Sequence, residues 1–446
     1  MRSLQIEGHP TTLNGLHAAL VAAATAHIDS VHRAECTPTT PLMFARMDCH
    51  GVGEDINQVV RMLAVALSQR RQLVLLPPTP HTARVECKVP DSLPLSAVQP
   101  WHWLSGQSLP LESVFVLSAC QTELLRRQPM VMERLAQSSA GNLTLTAVSL
   151  GAASLAAVGR ESSSLWRSHL AVSRHVPRLF QRQGLLWWFQ VLTTYLVRIR
   201  GPLARMLQAH PAMQPFVNLP GTTAPVAMAG GDGHDVRWLG WAVKCGARFC
   251  DGLGPGWAPS ARFDAGLHLR VGDSCRSGPL RYSQQVRRCD VNLSLAIQRF
   301  AEAGVHNGTL FVASDAQDVI DQVEAGAARP FNASYLRINR SRFDTSAGTE
   351  KLVLAASRLS SLIEALMDVL LLARSTLLAG KMMSNFPRVA LQLRVQMPAR
   401  RHNARAYVAL DDRPWCTRTS CREGFASTRE QQAAMRRELA RNAMIL

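Results

Sequence analysis

The sequence predicts an α/β fold in two units, and three observations predict it. Short apolar strands alternate with longer amphipathic segments, the pattern of parallel sheets joined by crossover helices. A glycine turn, a helix and a strand follow one another near residue 50, and strand–helix order returns from about residue 262. At 446 residues the chain is too long for one ordinary core, so two domains are expected.

The elements read as follows. Residues 14–28 form an Ala-rich helix, and the Thr/Pro stretch after it is a loop. Gly51-Val-Gly53 opens a helix that continues from Ile56 to Leu67, and Gln72 to Leu76 is a buried strand stopped by Pro77-Pro78. Residues 111–118 read as another strand, and 120–215 as mostly helical, with one helix from Leu185 to Leu207. Together 1–215 make the first unit. Residues 216–260, rich in Gly and Pro, read as a connection or insert. The second unit, 261–395, starts with a strand from Ala265 to Arg270. It continues with a helix from Leu293 to Ala303, a strand from Thr309 to Ala313 and a helix from Asp318 to Ala327. A long helix from Glu350 to Ala373, a strand from Thr376 to Ala379 and a helix opened by Ser384 complete it. Residues 396–446 read as a basic helical tail.

The formal net charge is +17, carried almost wholly by Arg, since there are four lysines. Codon bias accounts for this, and so does a surface that attracts anions such as nucleotide-sugars. Nucleic-acid binders instead show a basic run interleaved with aromatics or a known module, whereas Arg is scattered here, with local clusters only at 397–405 and 436–441. Ten cysteines without C-x-x-C spacing argue against a zinc site and allow disulfides in a secretory compartment. N-x-[ST] sequons at Asn142, Asn292, Asn307, Asn332 and Asn339 exceed the chance expectation. No transmembrane span or signal-peptide shape is legible.

In an open α/β sheet, ligands bind beyond the carboxyl ends of the strands. His268, Arg270 and Asp273 fall there after the first strand of the second unit, and Asp315 after the next. Ser384 and Asn385 fall at a helix N-terminus after the third. That terminus offers free amides and the positive end of a dipole, with Ser384 as its cap. With Arg270 opposite, it would hold a diphosphate, and Asp368 on the preceding helix would accept N–H groups of a base. Each residue also has a structural reading: His268 as a core histidine, Asp315 as a helix cap, Asp368 as a salt-bridge partner. Gly51-Val-Gly53 is not a phosphate loop.

On these residues the chain resembles the alpha-1,6-fucosyltransferases and the related nodulation and protein O-fucosyltransferases. The resemblance rests on four ordered segments: Gly51 to Val60, Leu186 to Arg198 with its Trp-Trp pair, His268-Leu-Arg-Val-Gly-Asp273, and Phe311 to Asp315 with Asp368 through Ala390. It implies a GT-B-like fold of two Rossmann-like domains with helical additions, the first on the acceptor side and the second binding donor. It implies transfer of fucose from GDP-fucose to a glycan or glycoprotein acceptor, with inversion, no metal and no other cofactor. Arg270 would be the critical residue, neutralising the β-phosphate. His268 and Asp368 would hold guanine, Ser384 and Asn385 the phosphates, and Tyr282 and Asp315 would line the site beside the Gly51–Gly53 loop. The loop from Ser274 to Leu280 carries no carboxylate where the family holds its presumed acceptor base, and Asp273 would either substitute for that base or shape the loop. The Golgi or another secretory lumen is the implied location, with any membrane anchor absent from this chain. Val271 and Ser274 depart from the family's second Arg and following Lys. Two alternatives follow, a non-catalytic relative that binds nucleotide or glycan, and a basic binder of nucleic acid or anionic surfaces.

Overall fold

The computed structural model describes residues 13–37, 39–47, 50–76, 83, 101–105, 109–127, 176–217, 259, 261–271, 292–340, 355–382, 384–394, 407–411 and 415. Over these the chain is mixed α/β with two parallel sheets. Of the connection expected over 216–260, residues 218–258 and 260 lie outside the described residues, and 216–217 end a short helix, Gln214–Val217.

The first unit begins with α1 (Leu13–His32), β1 (Leu42–Arg46), α2 (Val52–Ser68) and β2 (Gln72–Leu76). β1 and β2 pair in parallel, Leu42 opposite Gln72 and Arg46 opposite Leu76. The Thr/Pro loop thus gives way to a strand that the sequence pattern does not mark. α2 is buried from Val52 to Ile56 except at Glu54, and from Asn57 to Leu67 without a break. Its polar side chains are therefore partnered, as burial requires. Asp55 Oδ2 accepts from the indole nitrogens of Trp101 at 2.8 Å and Trp103 at 2.9 Å, and Arg61 pairs with Glu54 at 2.7 Å.

In α3 (Ala119–Arg127), Gln121 donates to Leu75 O and accepts from Leu75 N, both at 3.0 Å, so a side chain pairs with β2 as a strand would. Residues 111–118 are not a strand. They form a 3-10 turn, Leu111–Ser113, and then one antiparallel bridge, Phe115 to Val197. The same pairing breaks the helix expected from Leu185 to Leu207. Arg198 N donates to Val114 O and Arg200 N to Ser113 O, which takes 197–200 out of helical geometry. Gly201 then turns the chain at φ +51°, so α4 (Gly184–Leu196) and α5 (Gly201–Ala209) are separate. The Trp-Trp pair of α4 is core: Trp188 is fully buried and stacks on Phe180 at 5.5 Å.

The second unit holds β3 (Phe263–Leu269), α6 (Leu293–Glu302), β4 (Gly308–Ser314), α7 (Gln317–Glu324), β5 (Phe331–Tyr335), α8 (Ala355–Leu372), β6 (Ser375–Gly380), α9 (Asn385–Gln392) and β7 (Tyr407–Ala409). All five strands are parallel, in the order β5-β4-β3-β6-β7. The strand order reverses between β3 and β6, which is where a Rossmann-like sheet opens its crevice. Two of these strands are additions to the expected set. β5 has intermediate burial along most of its length, and β7 lies in the tail expected to be helical. That expectation is corrected over 407–409, where the Tyr-Val-Ala run pairs with β6.

Alternation along the strands splits the core. Leu267, Leu310, Val312 and Leu377 face α6 and α7. Phe311, Ala313 and Leu378 face α8 and share one continuous cluster with α1, α2 and α4. Each fully buried Leu or Phe there contributes about 1.5–3 kcal/mol. Polar contacts run through the same seam. Gln392 Nε2 donates to Asn57 Oδ1 at 2.8 Å, Thr193 Oγ1 to Gln392 Oε1 at 2.9 Å, and Gln190 Nε2 to Leu391 O at 3.0 Å.

Candidate functional site

Three strand ends and two helices build the site. β3 delivers His268, in register with Ala313 of β4 and Gly380 of β6, on the face toward α8. His268 is 5% exposed and its ring stacks on Phe386 of α9 at 5.4 Å and 21°. Burial lowers its pKa to about 3, helped by the positive charges of Arg270, Lys381 and Arg340, so the imidazole is neutral at physiological pH. Its Nδ1 has no hydrogen-bond partner.

Beyond it, the tip of β3 is held from both sides. Asp315, after β4, accepts from Val271 N at 2.8 Å and stands 3.9 Å from Arg270 Nε. Lys381, one residue past β6, donates from Nζ to Arg270 O at 3.2 Å. Asp315 thus holds the backbone at the start of the loop and stands within ion-pair distance of the guanidinium.

α9 approaches the same tip. Gly380 makes this feasible, because a Cβ there would meet Pro387 Cβ at 2.8 Å. Ser384 occupies the N-cap position in extended geometry, and its amide donates to Lys381 O at 2.8 Å. The expected side-chain cap is not formed. Ser384 Oγ makes no cap bond, and it is buried without a partner. The first-turn amides of α9 therefore lack a side-chain acceptor from their cap residue.

Asp368, on α8, is 7% exposed. Burial raises its pKa, and Arg340, with Nη1 at 3.4 Å from Oδ2, opposes the rise. Asp368 Oδ1 has no partner. Arg340 also donates to the carbonyls of Ser314 and Leu336, which fixes it behind the β4 tip.

The glycines of the N-terminal unit reach the site by packing. Gly51 is the N-cap of α2, and its carbonyl accepts from Glu54 N and Asp55 N. A Cβ on Gly53 would lie 3.0 Å from Asn385 Cβ and 3.1 Å from its carbonyl carbon, so Gly53 lets the starts of α2 and α9 touch. Asn385 Oδ1 accepts from Asn57 Nδ2 at 3.2 Å and from Arg388 Nη1 at 2.8 Å, which commits much of its side chain to this seam.

The structure thus brings together His268, Arg270, Asp315, Asp368, Ser384, Asn385 and Gly53, with Gly51 at the start of α2. Asp273 and Tyr282 lie outside the described residues. Lys381 and Arg340 are site residues that the sequence reading does not include. Lys381 carries a signal, as one of four lysines and one residue past a strand; Arg340 carries none. The arrangement is cationic, partly dehydrated and adjacent to a helix N-terminus, and such a site favours an anion with several acceptor oxygens. Neither a scan against protein-family models nor a search of curated proteins finds a match to this chain.

Proposed function

We propose that the protein is a glycosyltransferase that moves fucose from GDP-fucose to a glycan or glycoprotein acceptor, with inversion and without a metal, in the manner of the alpha-1,6-fucosyltransferases it resembles. The observation that carries this reading is the set of three buried, unpartnered polar atoms around one cationic strand end: His268 Nδ1, Asp368 Oδ1 and Ser384 Oγ. What sets these three apart is their place at the strand end that also carries Arg270 and Lys381, a combination that supports a polar, anionic ligand there. A guanine base would use Asp368 and His268, and a diphosphate would use Arg270, Lys381 and the start of α9. In this reading the two units pair in a GT-B-like way, with 1–215 on the acceptor side.

Cleavage of the sugar–phosphate bond leaves negative charge on GDP and positive charge on the ring. Arg270 and the α9 amides, already in place, stabilise that charge without reorganising. The acceptor hydroxyl attacks the opposite face of the anomeric carbon and loses its proton to a carboxylate, for which Asp273 is our candidate. A secretory lumen is the proposed location, supported by the Cys36–Cys120 disulfide. No described helix is long and apolar enough to cross a membrane.

Calorimetry of GDP and GDP-fucose in EDTA, followed by a transfer assay on a glycan array, tests the proposal. Binding of both, with turnover that Arg270→Ala lowers by about 10²–10³-fold, is the expected result. Absence of GDP binding overturns it. GDP binding without turnover on any acceptor selects the non-catalytic alternative, which Val271 and Ser274 favour.

A further inference from the structure

Five of the eleven asparagines open an N-x-[ST] sequon, against the one or two expected from 56 serines and threonines in 446 residues. The four described, Asn292, Asn307, Asn332 and Asn339, all have exposed side chains. The one disulfide among the described residues, Cys36–Cys120, joins the loop after α1 to α3 across 84 residues, which indicates an oxidising compartment. Sequence bias, exposure and redox state are separate observations, and they agree.

We propose that Asn307 and Asn332 carry N-linked oligosaccharides, and that these cover the β5 edge of the sheet. Asn307 immediately precedes β4, and Asn332 is the second residue of β5. Thr309, the hydroxyl residue of the first sequon, is the register partner of Asn332, so both sites sit side by side at the amino ends of the strands. The candidate site lies at the carboxyl ends, and glycans at the opposite end leave it open. β5 is the outermost strand of the five on this side. An outer strand is a template for pairing with another chain, and a bulky hydrated group beside it blocks that approach.

In the modification, the Asn carboxamide nitrogen forms a bond to the anomeric carbon of a lipid-diphosphate-linked oligosaccharide. The bond from that carbon to the phosphate oxygen breaks, the lipid diphosphate leaves with the electron pair, and the amide gives up one proton. Thr309 Oγ1 is engaged with Asp264 in the folded protein at 3.0 Å, so transfer precedes closure of the β3–β4 pair.

The test is expression of the full chain behind a cleavable secretion leader in a glycosylating host, with intact-mass analysis before and after enzymatic glycan release. Release is expected to leave Asp at positions 307 and 332 by peptide mapping. N307Q and N332Q should each remove one glycan's mass. The double variant should melt at the same temperature as the enzymatically deglycosylated protein, and both should self-associate more than the glycosylated form. Retention of Asn at both positions after release, or a chain that is not imported, overturns the modification. Unchanged self-association in the deglycosylated protein overturns the shielding role. The outcome is independent of whether the protein binds GDP.

Discussion

The Nζ of Lys381 donates to the carbonyl oxygen of Arg270 over 3.2 Å, tying the tips of the two central strands on either side of the crevice. The bond brings an ammonium to the backbone of the residue that carries the guanidinium, so an anion at this rim meets two positive groups. It also supplies a basic group where the family resemblance would call for two more, at Val271 and Ser274. Arg270→Ala is expected to lower turnover from GDP-fucose by about 10²–10³-fold. Lys381→Met removes a charged donor and should weaken GDP binding by about 10- to 100-fold while guanosine binding holds. Lys381→Arg should recover part of the loss. Equal losses for GDP and guanosine would make Lys381 a strut and not a phosphate contact.

Packing between strands predicts a steric phenotype at Gly266. A Cβ there would lie 2.2 Å from Ser375 Oγ and 2.8 Å from Ser375 Cβ. Gly266→Ala therefore forces β3 and β6 apart and should cost about 1–3 kcal/mol, read as a drop in the denaturant midpoint. The double variant Gly266→Ala/Ser375→Gly removes the opposing atoms and should regain most of that stability. A single variant as stable as the parent would contradict the close approach.

Two buried histidines predict acid sensitivity. His268 has its pKa lowered to about 3 and His32 to about 4, both chiefly by burial. The unfolded chain takes up these protons near pH 6.5 and the folded chain does not. Stability is therefore fully present above about pH 6.5 and falls by about 1.4 kcal/mol per pH unit per histidine as pH drops toward the folded values. Asp55, raised by burial despite its bonds to Trp101 and Trp103, acts in the opposite direction and offsets part of the loss. Urea titrations at pH 7 and pH 5 should show the drop, and His268→Gln should make it shallower. A pH-independent midpoint over this range would exclude the neutral buried state.

Redox state should matter to the first unit. Cys36–Cys120 closes a loop of 84 residues, and Cys120 is fully buried. Cys36→Ser/Cys120→Ser should lower stability by about 2–5 kcal/mol. Near-ultraviolet circular dichroism during thermal melting, with and without reductant, would show it. Reductant should leave the double variant's melt unmoved, and an equal shift in both proteins would assign the effect to other cysteines.

Local patterning along the chain is enough to define several elements. Apolar runs bounded by Gly and Pro mark β2, β3, β4 and β6, and the 3.6-residue period marks α2 and α8, because strand and helix periods are written into adjacent residues. The end of a strand is also a local feature, and strand ends alone put His268, Arg270, Asp315 and Ser384 at one rim. Other features depend on distant partners and exist only in the folded packing. β1, β5 and β7 are short or half-exposed, and pairing with a neighbour defines them. The break between α4 and α5 follows from hydrogen bonds to 113 and 114. Gly53 acts through Asn385, Ser384 leaves its own helix uncapped, and Lys381 reaches Arg270 across a strand gap. Cys36 meets Cys120, out of ten cysteines, for the same reason: a contact between residues far apart in the chain is a property of the tertiary packing, and spacing along the chain carries no record of it.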